Sequence, residues 1–232
     1  MLLFFDHNIT IDTEEFTFDR SESKHLVKVL RKEKGAQVTL TNGRGLQWNG
    51  ILTEVSSNKS RAEKTKAIHH LAPKKRIHLA IAPTKRNERM EWMIEKLTEM
   101  GIASITPILC DHSERKVLKT ERFFKIAVAA LKQSQQFFLP QINPLTPFEA
   151  LLKTIKHPAL IAHCSESPKC DLAKYALNSD EITLFVGPEG DFSSHEIKAA
   201  MTAGLEAVSL GSQRFRTETA GLLGCHTLFL KY

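Results

Sequence analysis

No stretch of this 232-residue chain approaches the run of about 18 apolar residues that a membrane-crossing helix needs. The opening, MLLFFDHNIT, meets an acid at Asp6 after a short apolar run, so a signal peptide is not expected. Cysteine is sparse. Cys110, Cys164, Cys170 and Cys225 form no C-x-x-C, His69 and His70 are adjacent, and H-E-x-x-H is absent, which excludes the common metal patterns. Reduced, mostly buried thiols in a cytoplasmic protein are the expectation. Also missing are G-x-G-x-x-G, G-x-x-x-x-G-K and a nucleophile elbow, so the ordinary dinucleotide, phosphate-loop and hydrolase signatures do not apply.

The composition that is present, 42% hydrophobic and 25% charged, is that of a globular protein able to bury a core. A net charge of +6 favours an anionic partner such as nucleic acid, because basic surface draws in phosphates. A mildly basic enzyme with no polyanion partner is the other reading.

Residues 1–72 read as a small β-rich module. Ser21 opens a helix expected over Glu22 to Lys32, with Lys24, Lys28 and Arg31 on one face and Leu26, Val29 and Leu30 on the other. Asn42-Gly43-Arg44-Gly45 supplies the turn between two strands. The basic stripe suits phosphate contact or is a solvated helix face.

From residue 73 to 232, strands and helices alternate, which predicts an α/β domain with a mostly parallel sheet. Strands are expected at Ile77 to Ala82, Ile102 to Leu109, Ala159 to Cys164 and Ile182 to Val186. Pro107 places the second at an edge or ends it early. Helices are expected over Glu88 to Met100 and Phe123 to Phe138.

Two glycine loops follow strands near the carboxyl end, where open α/β sheets bind ligands. Gly187-Pro188-Glu189-Gly190 precedes a helix with a capping box, Ser193 with Glu196, and a staple of Phe192 and Ile197. Ser209-Leu210-Gly211 leads into Arg214, Arg216, Thr217, Glu218 and Thr219. Thr217 or Thr219 is expected to cap the last helix, with Glu218 in its first turn. Two arginines, two hydroxyls and a carboxylate exceed what capping requires.

GPEGDFSSHEI, the SLG loop and RTETA together resemble the carboxyl-terminal signature of the bacterial small-subunit ribosomal RNA methyltransferase E family, of the SPOUT superfamily. HLVKVLR, the NGRG hairpin, KRNERMEWMIEKLTEMGI, SERK and the QS…LP segment extend the likeness over nearly the whole chain. The resemblance implies a PUA-like β-barrel over 1–72 and a trefoil-knotted methyltransferase domain over 73–232. It implies S-adenosylmethionine as cofactor, a homodimer, and methylation of ring nitrogen 3 of a uridine in 16S ribosomal RNA on the small subunit. Carried over, Ala162, His163, Gly187, Pro188, Glu189, Gly190, Ser209, Leu210, Gly211, Arg216, Thr217, Thr219 and Ala220 would hold the cofactor.

A uracil nitrogen is a poor nucleophile while protonated, so Glu189 or Glu218 is expected to assist deprotonation and Arg216 to stabilise the anion. Lys24, Lys28, Arg31, Arg86, Arg89, Arg115 and Arg214 are the expected RNA contacts. The chain departs from the family at Gln136 and Gln213, where basic residues are common. Methylation elsewhere on RNA, such as a ribose 2′-hydroxyl, and RNA binding without catalysis are the alternatives.

Overall fold

In a computed structural model that describes residues 2–232, the chain divides into two compact units. The first runs up to Ala72 and also takes in Leu131–Leu139. It holds β1 (Leu3–Phe5), β2 (Glu15–Thr17), β3 (Gln37–Thr41), β4 (Leu46–Glu54) and β5 (Arg61–His69), in the order β1-β3-β4-β5-β2. Only the β1–β3 pair is parallel. Alternation along β4 buries Leu46, Trp48 and Leu52, which join Phe4, Phe18, Leu26 and Leu40 in one core. The Trp48 indole N–H donates to the Thr13 carbonyl at 2.7 Å, so the largest core side chain is also satisfied.

Residues 131–139 were expected with the carboxyl part, but they complete this unit. Gly45 N–H donates to Phe137 O and Leu139 N–H to Gly43 O, while the Phe137 ring stacks on His70 at 4.6 Å. A short-range reading cannot see that such edge groups find partners some 90 positions away.

The expected helix over Glu22 to Lys32 is two pieces. A short α1 (Arg20–Lys24), capped by Asp19, runs into a π-helical turn over His25–Val29. The wider turn advances fewer degrees per residue, so Val29 swings out to 66% exposed while Leu26 stays buried. Arg31, with φ 48°, ends the run before Gly35 is reached. Lys24, Lys28 and Arg31 are all exposed.

The second unit is a sheet in which every pairing is parallel. Its strands are β6 (Arg76–Ile81), β7 (Ser104–Leu109), β8 (Gln141–Ile142), β9 (Thr146–Pro147), β10 (Ala159–Ala162), β11 (Cys170–Asp171), β12 (Glu181–Val186) and β13 (Glu206–Ser209). Their order is β11-β13-β10-β12-β6-β7-β8, with β9 also on β7. Helices are α2 (Asn87–Glu99), α3 (Glu121–Ser134, entering the first unit after Ala130), α4 (Phe148–Leu152), α5 (Ser194–Thr202) and α6 (Thr217–Phe229).

Alternating residues of β6 serve opposite faces. Ala80 and the following Ala82 join Phe148, Phe185, Phe192 and Ala200 beneath α4 and α5. Ile81 and Leu79 meet α6, where a Cβ on Gly221 would lie 2.8 Å from Ile81 Cδ1. The same close approach puts a Gly224 Cβ 2.4 Å from Leu184, so α6 seats on β12 only because glycine stands there.

Pro107 neither ends β7 nor marks an edge; β7 is interior. Ile105 O accepts from Asn143 N–H, and Pro107, two residues on, faces the same side. The missing N–H therefore falls between the end of β8 and the start of β9, where no ladder bond is lost. Among the described residues no helix is long and apolar enough to cross a membrane, and no His/Cys/Asp/Glu group could hold a metal. Cys110 and Cys225 are buried, but Cys164 and Cys170 are exposed, contrary to the expectation of mostly buried thiols.

Candidate active site

Because β12, β10 and β13 are parallel, their carboxyl ends lie along one edge of the sheet. The two glycine loops are not on neighbouring strands, since β10 lies between them. Its own end, Ala162-His163, falls midway. Three successive strand ends thus open onto one place.

The 187–191 loop is fixed from every side. Gly187 is buried, and a Cβ there would press on the Phe192 ring at 3.0 Å and its backbone nitrogen at 3.1 Å. Asp191, at φ 64°, accepts from Phe192 N–H through Oδ1 and from Cys164 N–H through Oδ2 at 2.8 Å, which ties the loop to the end of β10. His112 Nδ1 lies 3.1 Å from Gly190 O and 3.0 Å from Asp191 O. Glu189 Oε1 accepts from Lys85 N–H at 3.3 Å.

The expected capping box is present, with Ser193 Oγ accepting from Glu196 N–H and Glu196 Oε2 from Ser193 N–H. Glu196, 3% exposed, also accepts from Asp111 N–H. Such a cap stabilises the helix by about 1 kcal/mol. Phe192 is buried with Ile197 against the same core, as a staple requires.

Among the described residues, the second loop is tethered only to itself. Ser209 Oγ donates to Gly211 O and accepts from Gly211 N–H, and Gly211 adopts φ 127°, where a side chain is strained. Residues 211–214 are exposed. The following turn is anchored at its far end by Thr217, whose hydroxyl donates to Gly187 O at 3.1 Å. Neither Thr217 nor Thr219 caps α6. The N-cap is Arg216, with no side-chain cap bond, because the Thr217 hydroxyl is used to join the two loops.

Two adjoining cavities of about 360 and 340 Å³ lie at these strand ends and share Ala162, Cys164, Arg214, Phe215 and Ala220. The first is bordered by His163, Ser209, Leu210, Gly211 and Gln213. Around the second lie Gly187, Pro188, Glu189, Arg216 and Thr217. Of the expected cofactor-binding and catalytic residues, Gly190, Glu218 and Thr219 border neither. Cys164 and Phe215 do, and were not anticipated; Phe215, a lone aromatic inside a polar run, was the available signal.

His163 is 7% exposed, and its Nε2 is buried without a hydrogen-bond partner among the described residues, while Nδ1 lies 3.1 Å from Ser165 Oγ. Burial and then the Lys169 ammonium hold this imidazole below its ordinary pKa, against an opposing pull from Asp191. Glu218 is buried beside Arg89, Oε1 to Nε 3.6 Å, and its Oε2 has no hydrogen-bond partner. Arg89, expected at RNA phosphates, is therefore engaged with Glu218. Arg115 donates to Asn87 Oδ1, and Arg86 is exposed at the N-cap of α2.

A parallel sheet that gathers glycine-bearing strand ends around two adjoining cavities of mixed polar and apolar lining defines an α/β enzyme of the kind that takes a nucleotide-like cofactor. More particularly, the chain belongs to the RNA methyltransferase family, whose domain model matches residues 71–228. The model of the RNA methyltransferase PUA domain matches residues 18–65.

The crystal structure of a probable rRNA-methyltransferase from Porphyromonas gingivalis is similar with a TM-score of 0.91 at 34% identity, covering 100% of this chain and 98% of that one. The ribosomal RNA small subunit methyltransferase E of Neisseria gonorrhoeae, bound to S-adenosyl methionine, gives 0.85 at 26% identity, covering 100% and 98%. By sequence, the enzyme of the same name from Rickettsia conorii is 27% identical over 85% of this chain and 82% of its own.

Proposed function

We propose that this protein transfers a methyl group from S-adenosylmethionine to ring nitrogen 3 of a uridine in small-subunit ribosomal RNA. The observation that carries the reading is the pair of cavities at the ends of β10, β12 and β13, joined through a common wall. Each is within the size range of small-ligand sites, at about 300 Å³ or more. The 209–211 loop on the cavity wall, apolar Leu210 and Phe215, and the His163 Nε2 that lacks a hydrogen-bond partner among the described residues suit an adenosine-type ligand that needs both stacking and hydrogen bonds. The residues present fit the cofactor.

When bound, S-adenosylmethionine supplies an electrophilic sulfonium methyl. The chain's contribution is alignment, exclusion of water and handling of one proton. Of the two candidate carboxylates only Glu189 borders a cavity, so the proton is assigned to Glu189. Glu218, paired with Arg89, is assigned a positioning role at the start of α6. Arg214 and Arg216 border the cavity beside Glu189 and would hold negative charge on the uracil oxygens.

Exposed Lys24, Lys28 and Arg31 on the first unit and Arg86 on the second are the groups available for RNA phosphates. The reading also includes a cytoplasmic homodimer acting on the assembled subunit. Insertion of β12 between β10 and β6, after both have been laid down, supports a trefoil knot.

Methylation at nitrogen 3 blocks the pairing edge and stops reverse transcriptase. Small-subunit RNA from a parent strain should show a stop that a deletion strain lacks, and identical profiles would sink the proposal. With purified enzyme, Glu189→Gln should lower turnover about 100-fold or more while cofactor binding by calorimetry persists. Turnover equal to wild type would remove Glu189 as the base.

A further inference from the structure

Beyond the loops of the cavities, β6 and β7 end at the same edge of the sheet as β12, since all three are parallel. The segment that leaves β7 and enters α3 encloses a third, larger cavity of about 690 Å³. Arg115, Lys119, Arg122 and Lys125 border it, against the single carboxylate of Glu121. The lining thus carries a net positive charge.

Two of the cations are fixed in place. Arg115 bonds the Asn87 side chain, and Arg122 donates to Glu91 Oε2 at 2.8 Å. Lys119 and Lys125 are exposed and form no ion pair among the described residues. The lining also has an apolar part, Val117, which is 77% exposed, and Phe123, which is buried. Lys85 ties the braced loop to the segment that runs into the cavity. Its N–H donates to Glu189 Oε1, and its ammonium lies 3.1 Å from Glu114, next to Arg115.

We propose that this cavity, formed by residues 115–125, is a docking groove for a single-stranded segment of RNA that leads to the Glu189 side of the cofactor pocket. The inference rests on the proposed RNA substrate and adds where the strand lies. A row of cations satisfies consecutive phosphates, and an exposed apolar patch takes unpaired bases, whose faces are hidden in a duplex.

The test uses the full-length double variant Lys119→Glu/Lys125→Glu, with both positions exposed and outside the catalytic machinery. Binding of fluorescent oligouridylate is followed by anisotropy over a salt series. Each phosphate contact to a single strand contributes about 0.7 to the salt slope, so the slope should shrink by about 1.4. Affinity at low salt should fall about tenfold or more. Cofactor calorimetry and thermal melting serve as controls and should match wild type.

Unchanged affinity and slope would overturn the groove. So would failure of the wild-type protein to bind oligouridylate, or its tighter binding to a duplex of equal length. Wild-type methyl transfer to unmethylated small subunits is measured alongside. Loss of that activity with the groove result intact would reject the proposed function and leave the groove standing.

Discussion

The two loops at the cavities look alike in sequence and differ in how they are held. The 187–191 loop is clamped by Lys85, His112, Cys164 and Thr217, and its glycine is packed against Phe192. Among the described residues, the 209–214 loop has only the Ser209–Gly211 exchange, and nothing lies within 4 Å of a Cβ placed on Gly211. One wall of the site is thus preorganised before a ligand arrives, while the other can close on it at little cost. On the proposed function, preorganisation would serve the reacting side, where small displacements cost most. An adaptable wall would serve the cofactor side, where entry and product release occur.

Gly187→Val should break this contrast most severely. The added atoms have nowhere to go, so overpacking should cost about 1–3 kcal/mol of stability and on the order of 100-fold in cofactor affinity. Thermal melting and calorimetry would read both, and wild-type affinity would show the clamp to be dispensable.

Asp191→Ala removes the acceptor of the Cys164 and Phe192 N–H groups and leaves alanine at φ 64°. Hydrogen bonds to a charged group are worth about 1.5–3 kcal/mol, so a loss of about tenfold or more in affinity should accompany a lower melting temperature. Asp191→Asn, which tolerates the backbone better, should recover part of it. No recovery would mean that charge and not geometry matters at this position.

Gly211→Ala should be the mildest. Its backbone becomes strained, but the loop has room to relax, so melting should hardly move while affinity drops about threefold, under 1 kcal/mol. A melting loss as large as that of Asp191→Ala would show the second loop to be as rigid as the first.

Short-range features of the site were legible in the sequence. The Ser193–Glu196 box, the Phe192 staple and the glycine loops depend on residues a few positions apart, and all are in place. What escaped depends on pairings across long separations. The position of β10 between the loop-bearing strands, the Thr217 bond to Gly187 and the Arg89–Glu218 pair each join distant segments. The π-helical turn at His25–Val29 escaped for another reason, since 100° periodicity assumes the α-helix it departs from. Pro107 misled because its missing donor falls in a gap that only the register of β8 and β9 reveals.

The first unit draws its residues from two separated pieces of chain, ending at Ala72 and resuming at Leu131–Leu139. During synthesis it must therefore wait for residue 139 to emerge, long after its five strands have left the ribosome. The usual order, in which an amino-terminal domain finishes before the next begins, is not open to it. A fragment cut after Ala72 would keep every strand of that sheet yet lack the partners of Gly43, Gly45 and His70.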